Sequence, residues 1–338
     1  MRFPVIANTD TVMSSSATRY NSVTIQSSGV PWVSTIDETV TCLIPFRCSI
    51  SQLAVELATT APGSGKSFAF TVVKNGSDTA LTCTVSGTSF EASDTTHSVI
   101  FEAGDTICIK SVPSGTPSAP SNIRFSFIVD TLGRQEYFYF KTYGAPNATS
   151  RYFSSVQHSG RSFTSDVSFF HNKSVFAQDA TITQMLVGLR TAPGAGKSFV
   201  FSLYKNTTEE ASSQIKISDS NKTGSVTGLS ISVTVGDDII FPSLPSGTPT
   251  ADHVQTTVVV KPKINGEYSS TSVSLTLGNT GTQWNRAFCS VCATNTDADD
   301  TKVKNICPPN ITMYLLGFYV KVSVAPGAGK SYAFTMRK

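Results

Sequence analysis

The chain has 338 residues, of which 14% are charged, and its formal net charge at pH 7 is +3. Its lysines and arginines form no run, so the sequence has no basic patch of the kind that binds nucleic acid or anionic lipid. No stretch approaches the ~18 apolar residues of a membrane span, and the apolar part of the first ten residues is too short for a signal peptide. We therefore expect neither a nucleic-acid partner nor a membrane, and a protein made and kept in a cytoplasm or exported without a cleaved signal.

The chain begins with residues 1–18, which are polar and loosely patterned and predict an arm or a first edge strand. Apolar and polar residues then alternate in short segments, and a period of two is typical of a strand with one buried face. Turn signals such as Asn75-Gly76 and Gly104-Asp105 separate these segments. The predicted strands lie near 20–26, 38–44, 50–58, 67–74, 80–85, 97–101, 106–111 and 122–129.

One segment of this pattern occurs three times. Ala61–Asn75 reads APGSGKSFAFTVVKN, Ala192–Asn206 reads APGAGKSFVFSLYKN, and Ala325–Lys338 reads APGAGKSYAFTMRK. The alternation on both sides of each lysine predicts strand, turn and strand, with glycine supplying the positive φ that the turn requires. The turn residues are Gly63, Gly65, Lys66, Gly194, Gly196, Lys197, Gly327, Gly329 and Lys330.

The Gly-Lys-Ser of each turn is also part of the nucleotide-binding loop motif. In that motif another glycine lies five positions before the glycine of Gly-Lys-Ser, and a helix follows. The corresponding positions are Thr60, Thr191 and Val324, and the residues after each lysine have a strand pattern. The sequence therefore predicts no nucleotide cofactor, and the lysine is interpreted as a turn residue kept in water.

The repeat divides the chain into units of about 130 residues. We predict unit 1 at 1–131 with an N-terminal arm, unit 2 at 132–262, and a partial unit 3 at 263–338. The loop Pro245–Pro249 of unit 2 matches Pro113–Pro117 of unit 1, so the two units correspond beyond the hairpin.

The number of short strands in each unit and the lack of helical periodicity predict an all-β fold. We expect tandem antiparallel β-sandwiches of the jelly-roll kind, with immunoglobulin-like sandwiches as the alternative. Unit 3 lacks the residues for its last four strands, which would expose a long sheet edge. We expect the natural chain to continue for about half a unit or another chain to complete the sheet by strand addition.

Tyr137, Phe138, Tyr139 and Phe140 are four consecutive aromatic residues near the start of unit 2. Because side chains alternate across a strand, both faces of this strand are apolar. Such a strand lies inside a sandwich or at an interface with another unit or a partner. We predict an interface or core position for these residues, and a platform that stacks on glycans is the alternative.

The sequence contains no recognisable catalytic set. Cys289, Cys292 and Cys307 supply only part of a zinc site, and the absence of cysteine from unit 2 shows that the fold needs no disulfide framework. The acidic segment 295–300 lacks the glycine and the later glutamate of an EF-hand loop. We predict a protein that is not an enzyme and holds no cofactor or metal; a zinc site and a looser calcium site are the alternatives.

The hairpin motif, the later Gly-Asp turns and the Pro-Ser-Gly-Thr-Pro loop together resemble repeats in structural proteins of bacteriophages and other viruses. Those proteins include head-surface and tail-fibre components built from jelly-roll modules. The resemblance covers units 1 and 2 fully and unit 3 in part. It implies a virion surface protein, often trimeric, that decorates the particle or contacts a host, and it implies no catalytic residue.

Three functional hypotheses follow from the repeats and the resemblance. The first is a virion structural protein, namely a fibre, spike or capsid decoration, assembled in the host cytoplasm. Its expected partners are other virion proteins, further copies of itself with a trimer favoured, and a host surface glycan or receptor. The second is a cell-surface array of carbohydrate-binding or adhesive modules, and the third is an enzyme such as a depolymerase. The missing signal peptide favours the first hypothesis over the second, and the low charge and uniform repeats disfavour the third.

Overall fold

A computed structural model describes residues 1–9, 11–24, 32–142, 144–156, 165 and 173–266, and, near the C-terminus, 308–309, 314, 316, 320, 322 and 325–335. In these parts of the chain the strands form two sets of nine. The first set is β1 (Arg2–Thr9), β2 (Arg19–Asn21), β3 (Cys42–Leu43), β4 (Cys48–Leu57), β5 (Gly63–Lys74), β6 (Ser77–Gly87), β7 (Glu91–Phe101), β8 (Thr106–Ser114) and β9 (Ile123–Asp130). The second set is β10 (Tyr137–Lys141), β11 (Tyr152–Ser154), β12 (Ser174–Val175), β13 (Ala180–Leu189), β14 (Gly194–Lys205), β15 (Thr208–Asp219), β16 (Thr223–Val233), β17 (Asp238–Ser246) and β18 (Val254–Pro262).

The alternating pattern of the repeated segment produces two of the longest strands, β5 and β14. In β5 the side chains of Phe68, Phe70 and Val72 are fully buried, and burying each contributes about 1.5–3 kcal/mol. The Asn75-Gly76 turn then reverses the chain into β6, and both residues have positive φ, at 49° and 79°. This is the turn that matches the right-handed twist of two paired strands.

Each set of nine strands forms two antiparallel sheets with the same connectivity. In unit 1 the sheets have the orders β1-β9-β4-β7 and β2-β8-β5-β6, and β3 also pairs with β8. In unit 2 the orders are β10-β18-β13-β16 and β11-β17-β14-β15, and β12 also pairs with β17. If the short β3 and β12 are set aside, each unit has eight strands in the order of a jelly roll.

The predicted all-β fold of tandem antiparallel β-sandwiches is therefore confirmed. The immunoglobulin-like alternative does not fit, because that fold places its first two strands in one sheet, whereas β1 and β2 lie in different sheets. Residues 1–18 contain the first edge strand, since β1 pairs with β9 along its whole length. Most of the predicted unit 3 lies outside the described residues, and the described part of the chain contains no helix long and apolar enough to cross a membrane.

The interiors of the two jelly rolls join into one hydrophobic cluster. Buried residues of β4, β5 and β9 in unit 1 and of β13, β14 and β18 in unit 2 all belong to it. The two units are thus packed directly against each other, and the predicted boundary near residue 131 falls between β9 and β10.

Candidate functional site: the junction and the lysine turns

Strand β10 presents aromatic side chains to two different cores. Tyr137 and Tyr139 point into unit 2, where the ring centroid of Tyr139 lies 6.2 Å from that of Phe176. The side-chain amide of Gln178 donates a hydrogen bond of 3.0 Å to the hydroxyl of Tyr137, so this buried hydroxyl has a partner.

Phe138 and Phe140 lie on the opposite face of β10. The ring centroid of Phe138 is 5.1 Å from that of Phe3 and 5.5 Å from that of Phe46, and both pairs are edge-to-face. Phe3 and Phe46 belong to unit 1, so Phe138 fills the boundary between the two jelly rolls. Aromatic pairs of this geometry contribute about 0.5–1.5 kcal/mol each beyond the area they bury.

The structure therefore places all four predicted aromatic residues at the junction between the chain's own units. Tyr137, Phe138, Tyr139 and Phe140 expose between 0% and 5% of their surface. At that burial none of them can stack on a glycan from solution, so the alternative interpretation of this strand does not fit.

Polar contacts surround the aromatic centre of the junction. The hydroxyl of Thr257 on β18 donates a hydrogen bond of 2.6 Å to the carbonyl oxygen of Leu43. Farther out, Arg190 lies 3.4 Å from Asp37, and the ammonium group of Lys222 lies 3.7 Å from the carboxylate of Glu38. The acidic partners belong to unit 1 and the basic partners to unit 2. Because these ion pairs are partly exposed, each contributes about 0–1 kcal/mol, and their main effect is to fix the orientation of the units.

A cleft of about 580 Å³ opens beside the junction, between the link β3–β4 and the sheet of unit 2. Its charged side chains neutralise one another: Arg47 lies 3.6 Å from Glu102, and Arg134 lies 2.6 Å from Glu136. The guanidinium of Arg134 also lies 4.4 Å from the ring centroid of Phe46. The cleft is thus lined by ion pairs that help to hold the junction.

The repeated lysine turns form the second candidate site. Every turn glycine has the positive φ that the sequence predicts, with values of 100° and 72° at Gly63 and Gly65, 98° and 71° at Gly194 and Gly196, and 94° and 71° at Gly327 and Gly329. In units 1 and 2 these residues form the first part of a strand, β5 or β14, where the pairing with the next strand is irregular between Gly63 and Ser67 and between Gly194 and Ser198. This local structure differs from that of a phosphate-binding loop, which ends at a helix N-terminus.

In both complete units the Pro-Ser-Gly-Thr-Pro loop packs on the lysine turn. The amide of Ser118 donates a hydrogen bond of 3.0 Å to the carbonyl oxygen of Pro62, and Thr250 makes the same bond to Pro193 at 3.1 Å. A Cβ on Gly115 would lie 3.1 Å from the carbonyl oxygen of Gly65 and 3.3 Å from Cγ of Lys66. The aliphatic part of this lysine is therefore covered by a loop that only glycine allows to approach.

The corresponding contacts in unit 2 have nearly the same lengths. A Cβ on Gly247 would lie 3.0 Å from the carbonyl oxygen of Gly196 and 3.3 Å from Cγ of Lys197. Lys66 and Lys197 are accordingly half-buried, whereas Lys330 is exposed. In units 1 and 2 the stem of the turn lysine packs under the neighbouring loop.

We expect Gly115→Ala to lower the free energy of unfolding by about 2–4 kcal/mol, because it adds a backbone clash to the strain of a positive φ. Gly76→Ala is the matched control, since Gly76 has a φ of 79° and no heavy atom within 4 Å of the added Cβ. Gly76→Ala should lower the free energy of unfolding only through the backbone strain of a positive φ, by about 1–2 kcal/mol. Denaturant unfolding of both variants measures the difference, and equal losses would show that the loop does not press on the turn.

The described cysteines have no catalytic environment. Cys42, Cys48, Cys83 and Cys108 are free and buried, and burial raises the pKa of the last three to about 12. They pack as small apolar side chains. The cysteines at 289, 292 and 307 and the acidic segment 295–300 lie outside the described residues. In the part of the chain that the structure describes, no three His, Cys, Asp or Glu side chains are close enough to hold a metal ion.

Sequence reasoning did not find the unit 1 side of the junction. Phe3 lies in a segment interpreted as polar and loosely patterned, and Phe46 lies in the irregular link between β3 and β4. The only signal was the run of apolar residues from Phe3 to Ile6, which is too short to distinguish an edge strand from an arm.

Comparison with known protein families gave no matching family model, and a comparison with curated proteins gave no match either.

Proposed function

We propose that this chain is a non-enzymatic structural protein of a virus or bacteriophage particle: a fibre, a spike or a capsid decoration. The observation that carries the proposal is the continuous core of the two jelly rolls, through Phe138, Phe3 and Phe46. Domains joined by a hydrophobic interface move as one body, whereas domains joined only by a linker move independently. A rigid pair of sandwiches can hold contact loops at a fixed position on a particle surface, which is what a fibre, spike or decoration protein requires.

The resemblance of the repeat motif to viral jelly-roll repeats is the second support. In this proposal the protein assembles in the host cytoplasm and resides in the virion. Its partners are other virion proteins, further copies of itself with a trimer favoured, and a host surface glycan or receptor. Loops carry such contacts most readily, because a rigid scaffold positions them while their sequences can vary.

The alternative of a cell-surface carbohydrate-binding or adhesive array has less support. The four aromatic residues that could have formed a stacking platform are buried at the junction. The depolymerase alternative also lacks a candidate site among the described residues, since the charged side chains of the cleft beside the junction are engaged in ion pairs.

The proposal is tested by locating the chain in purified particles. Particles from the organism that encodes it are isolated on a density gradient and labelled with gold-conjugated antibodies raised against units 1 and 2. We expect gold on the particle surface and the chain at a fixed ratio to the major capsid protein. A chain found in the cell-surface fraction and missing from particles would contradict the proposal and support the adhesive alternative. Loss of polysaccharide viscosity on incubation with the purified chain would contradict the non-enzymatic role.

A further inference from the structure

The chain contains two Asn-Gly dipeptides, Asn75-Gly76 at the end of β5 and Asn265-Gly266 after β18. An asparagine before a glycine cyclises readily, because glycine has no side chain to shield its backbone nitrogen. Both asparagines are exposed, and both glycines have positive φ, at 79° and 90°. At neither glycine would an added Cβ meet a heavy atom of the described residues within 4 Å, chain neighbours aside. Sequence and exposure therefore do not distinguish the two sites.

Hydrogen bonds hold the side chain of Asn75 in place. Its Nδ2 donates a hydrogen bond of 2.6 Å to Oδ1 of Asp105, and its Oδ1 accepts one of 2.8 Å from the backbone amide of Thr106. The carboxylate of Asp105 is itself fixed, since the ammonium group of Lys74 lies 2.9 Å from it. Cyclisation requires Cγ of Asn75 to reach the backbone nitrogen of Gly76, and that movement breaks both bonds of the side chain. Asn75 is therefore protected.

Unit 2 repeats this arrangement at the corresponding hairpin. Nδ2 of Asn206 donates a hydrogen bond of 2.5 Å to Asp237, and its Oδ1 accepts one of 2.9 Å from the amide of Asp238. A held asparagine is thus a feature of the hairpin in each module. Asn265 lies outside the hairpins and lacks this support.

The side chain of Asn265 and the amide of Gly266 have no such contacts. The last fixed point of the chain is Lys263, whose amide donates a hydrogen bond of 3.0 Å to the carbonyl oxygen of Asp179 and whose Nζ lies 3.0 Å from the carboxylate of Asp179. Residues 264–266 then form an exposed turn. No residue that the structure describes makes a hydrogen bond to the side chain of Asn265 or to the amide of Gly266. Both reacting groups are therefore free to approach each other.

We propose that Asn265 is a site of spontaneous deamidation, with water as the co-reactant. The backbone nitrogen of Gly266 attacks Cγ of Asn265, and a carbon–nitrogen bond forms. The bond from Cγ to Nδ2 breaks, and the side-chain nitrogen leaves as ammonia with the proton lost from the amide of Gly266. Water then opens the cyclic imide. Attack at the side-chain carbonyl yields aspartate, and attack at the main-chain carbonyl yields isoaspartate.

Either product changes the surface where the chain leaves unit 2. Asn265 lines a cleft of about 350 Å³ together with Arg134, Glu136 and Lys261. A neutral amide in this cleft becomes an anion beside two cationic side chains. Isoaspartate also carries the main chain through the side-chain carbon, which lengthens the backbone at the link to the residues that follow. The inference does not rest on the proposed function.

The test compares the two Asn-Gly sites within one native chain. The full chain is incubated in mildly alkaline buffer, which favours loss of the amide proton, and samples are digested and analysed by liquid chromatography and mass spectrometry. Deamidation is read from the mass increase when an NH₂ group is replaced by OH, and a digest of the fresh chain corrects for conversion during handling. We expect position 265 to convert at least about tenfold faster than position 75, because conversion at 75 first requires the loss of a charge-assisted hydrogen bond.

Two controls assign the difference to the hydrogen bonds. In guanidinium chloride, where the chain is unfolded, the two sites should convert at similar rates. In folded Asp105→Ala, checked by circular dichroism, position 75 should convert faster than in the native chain while position 265 is unchanged.

Asn265→Gln tests the assignment of the site. Glutamine would have to form a larger ring, so isoaspartate should no longer form at this position. The probe is an isoaspartyl methyltransferase with labelled S-adenosylmethionine, and we expect the variant to lose most of the label that the incubated native chain accepts.

Two outcomes would overturn the inference. The first is conversion at position 265 that is no faster than at position 75 in the native chain. The second is an intact Asn265 in the native chain over a period in which the unfolded chain converts. Faster conversion at position 265 in the native chain, with similar rates in guanidinium chloride, supports it.

Discussion

Replacing Phe138 by alanine is expected to lower the free energy of unfolding by about 3–5 kcal/mol. The ring is 2% exposed and contacts Phe3, Phe46 and Phe140. Its removal leaves a cavity between two rigid sandwiches, and neither can move into the space without losing its own packing. Urea unfolding of the full chain, followed by tryptophan fluorescence and by circular dichroism, measures the loss.

The matched control for this substitution is Phe90→Ala. Phe90 lies in the link between β6 and β7 and exposes 47% of its surface, so its truncation should change stability by less than about 0.5 kcal/mol. Equal losses in the two variants would contradict the assignment of Phe138 to the centre of the junction. A loss confined to Phe138→Ala supports it.

Lys141→Met is expected to stabilise the chain in neutral and acidic solution. Lys141 is fully buried on β10, and this burial lowers the pKa of its ammonium group to about 7. In the unfolded chain the group keeps its ordinary pKa near 10.5, so between pH 7 and pH 10.5 the unfolded state binds more protons than the folded state. The stability of the native chain therefore rises with pH across this window and is lowest below pH 7.

Methionine removes this dependence while filling a similar volume. At pH 6 we expect Lys141→Met to exceed the native chain in free energy of unfolding by about 3–5 kcal/mol, and at pH 10.5 the two should be nearly equal. Lys216→Met on the exposed side of β15 is the control and should change stability little at any pH. A gain that is the same at both pH values would show that burial of the charge is not its cause.

The period of two in the repeated segment was enough to predict β5 and β14, because each has one face in the core and one toward solvent. Strand β1 gave no such signal. Its residues Phe3, Pro4 and Ile6 are buried on both faces, so apolar positions do not alternate with polar ones. The predicted strand at 38–44 is reduced to Cys42–Leu43, because residues 38–40 form a turn, from which Glu38 contacts Lys222 of unit 2.

The junction could be predicted from the sequence on one side only. Four consecutive aromatic residues on β10 indicated a strand with two apolar faces, and this limited its place to a core or an interface. Its partners Phe3 and Phe46 lie 135 and 92 residues away from Phe138, and no local pattern connects residues at such separations. The contact between Gly115 and Lys66 could not be predicted for the same reason, because these residues are far apart in the sequence. The lysine turn and the Pro-Ser-Gly-Thr-Pro loop do recur together in unit 2, which indicated that they belong to one module.

The aromatic contact between Phe138 and Phe3 also limits how the duplicated repeats can diverge. After a gene segment is duplicated, each copy ordinarily accumulates substitutions independently of the other. A side chain that fills the boundary between two units removes that independence, because a change of volume in one copy alters the fit of its neighbour. Compensating changes would then have to arise in pairs across the boundary, and sequence variation should be coupled there even where the rest of each copy drifts freely.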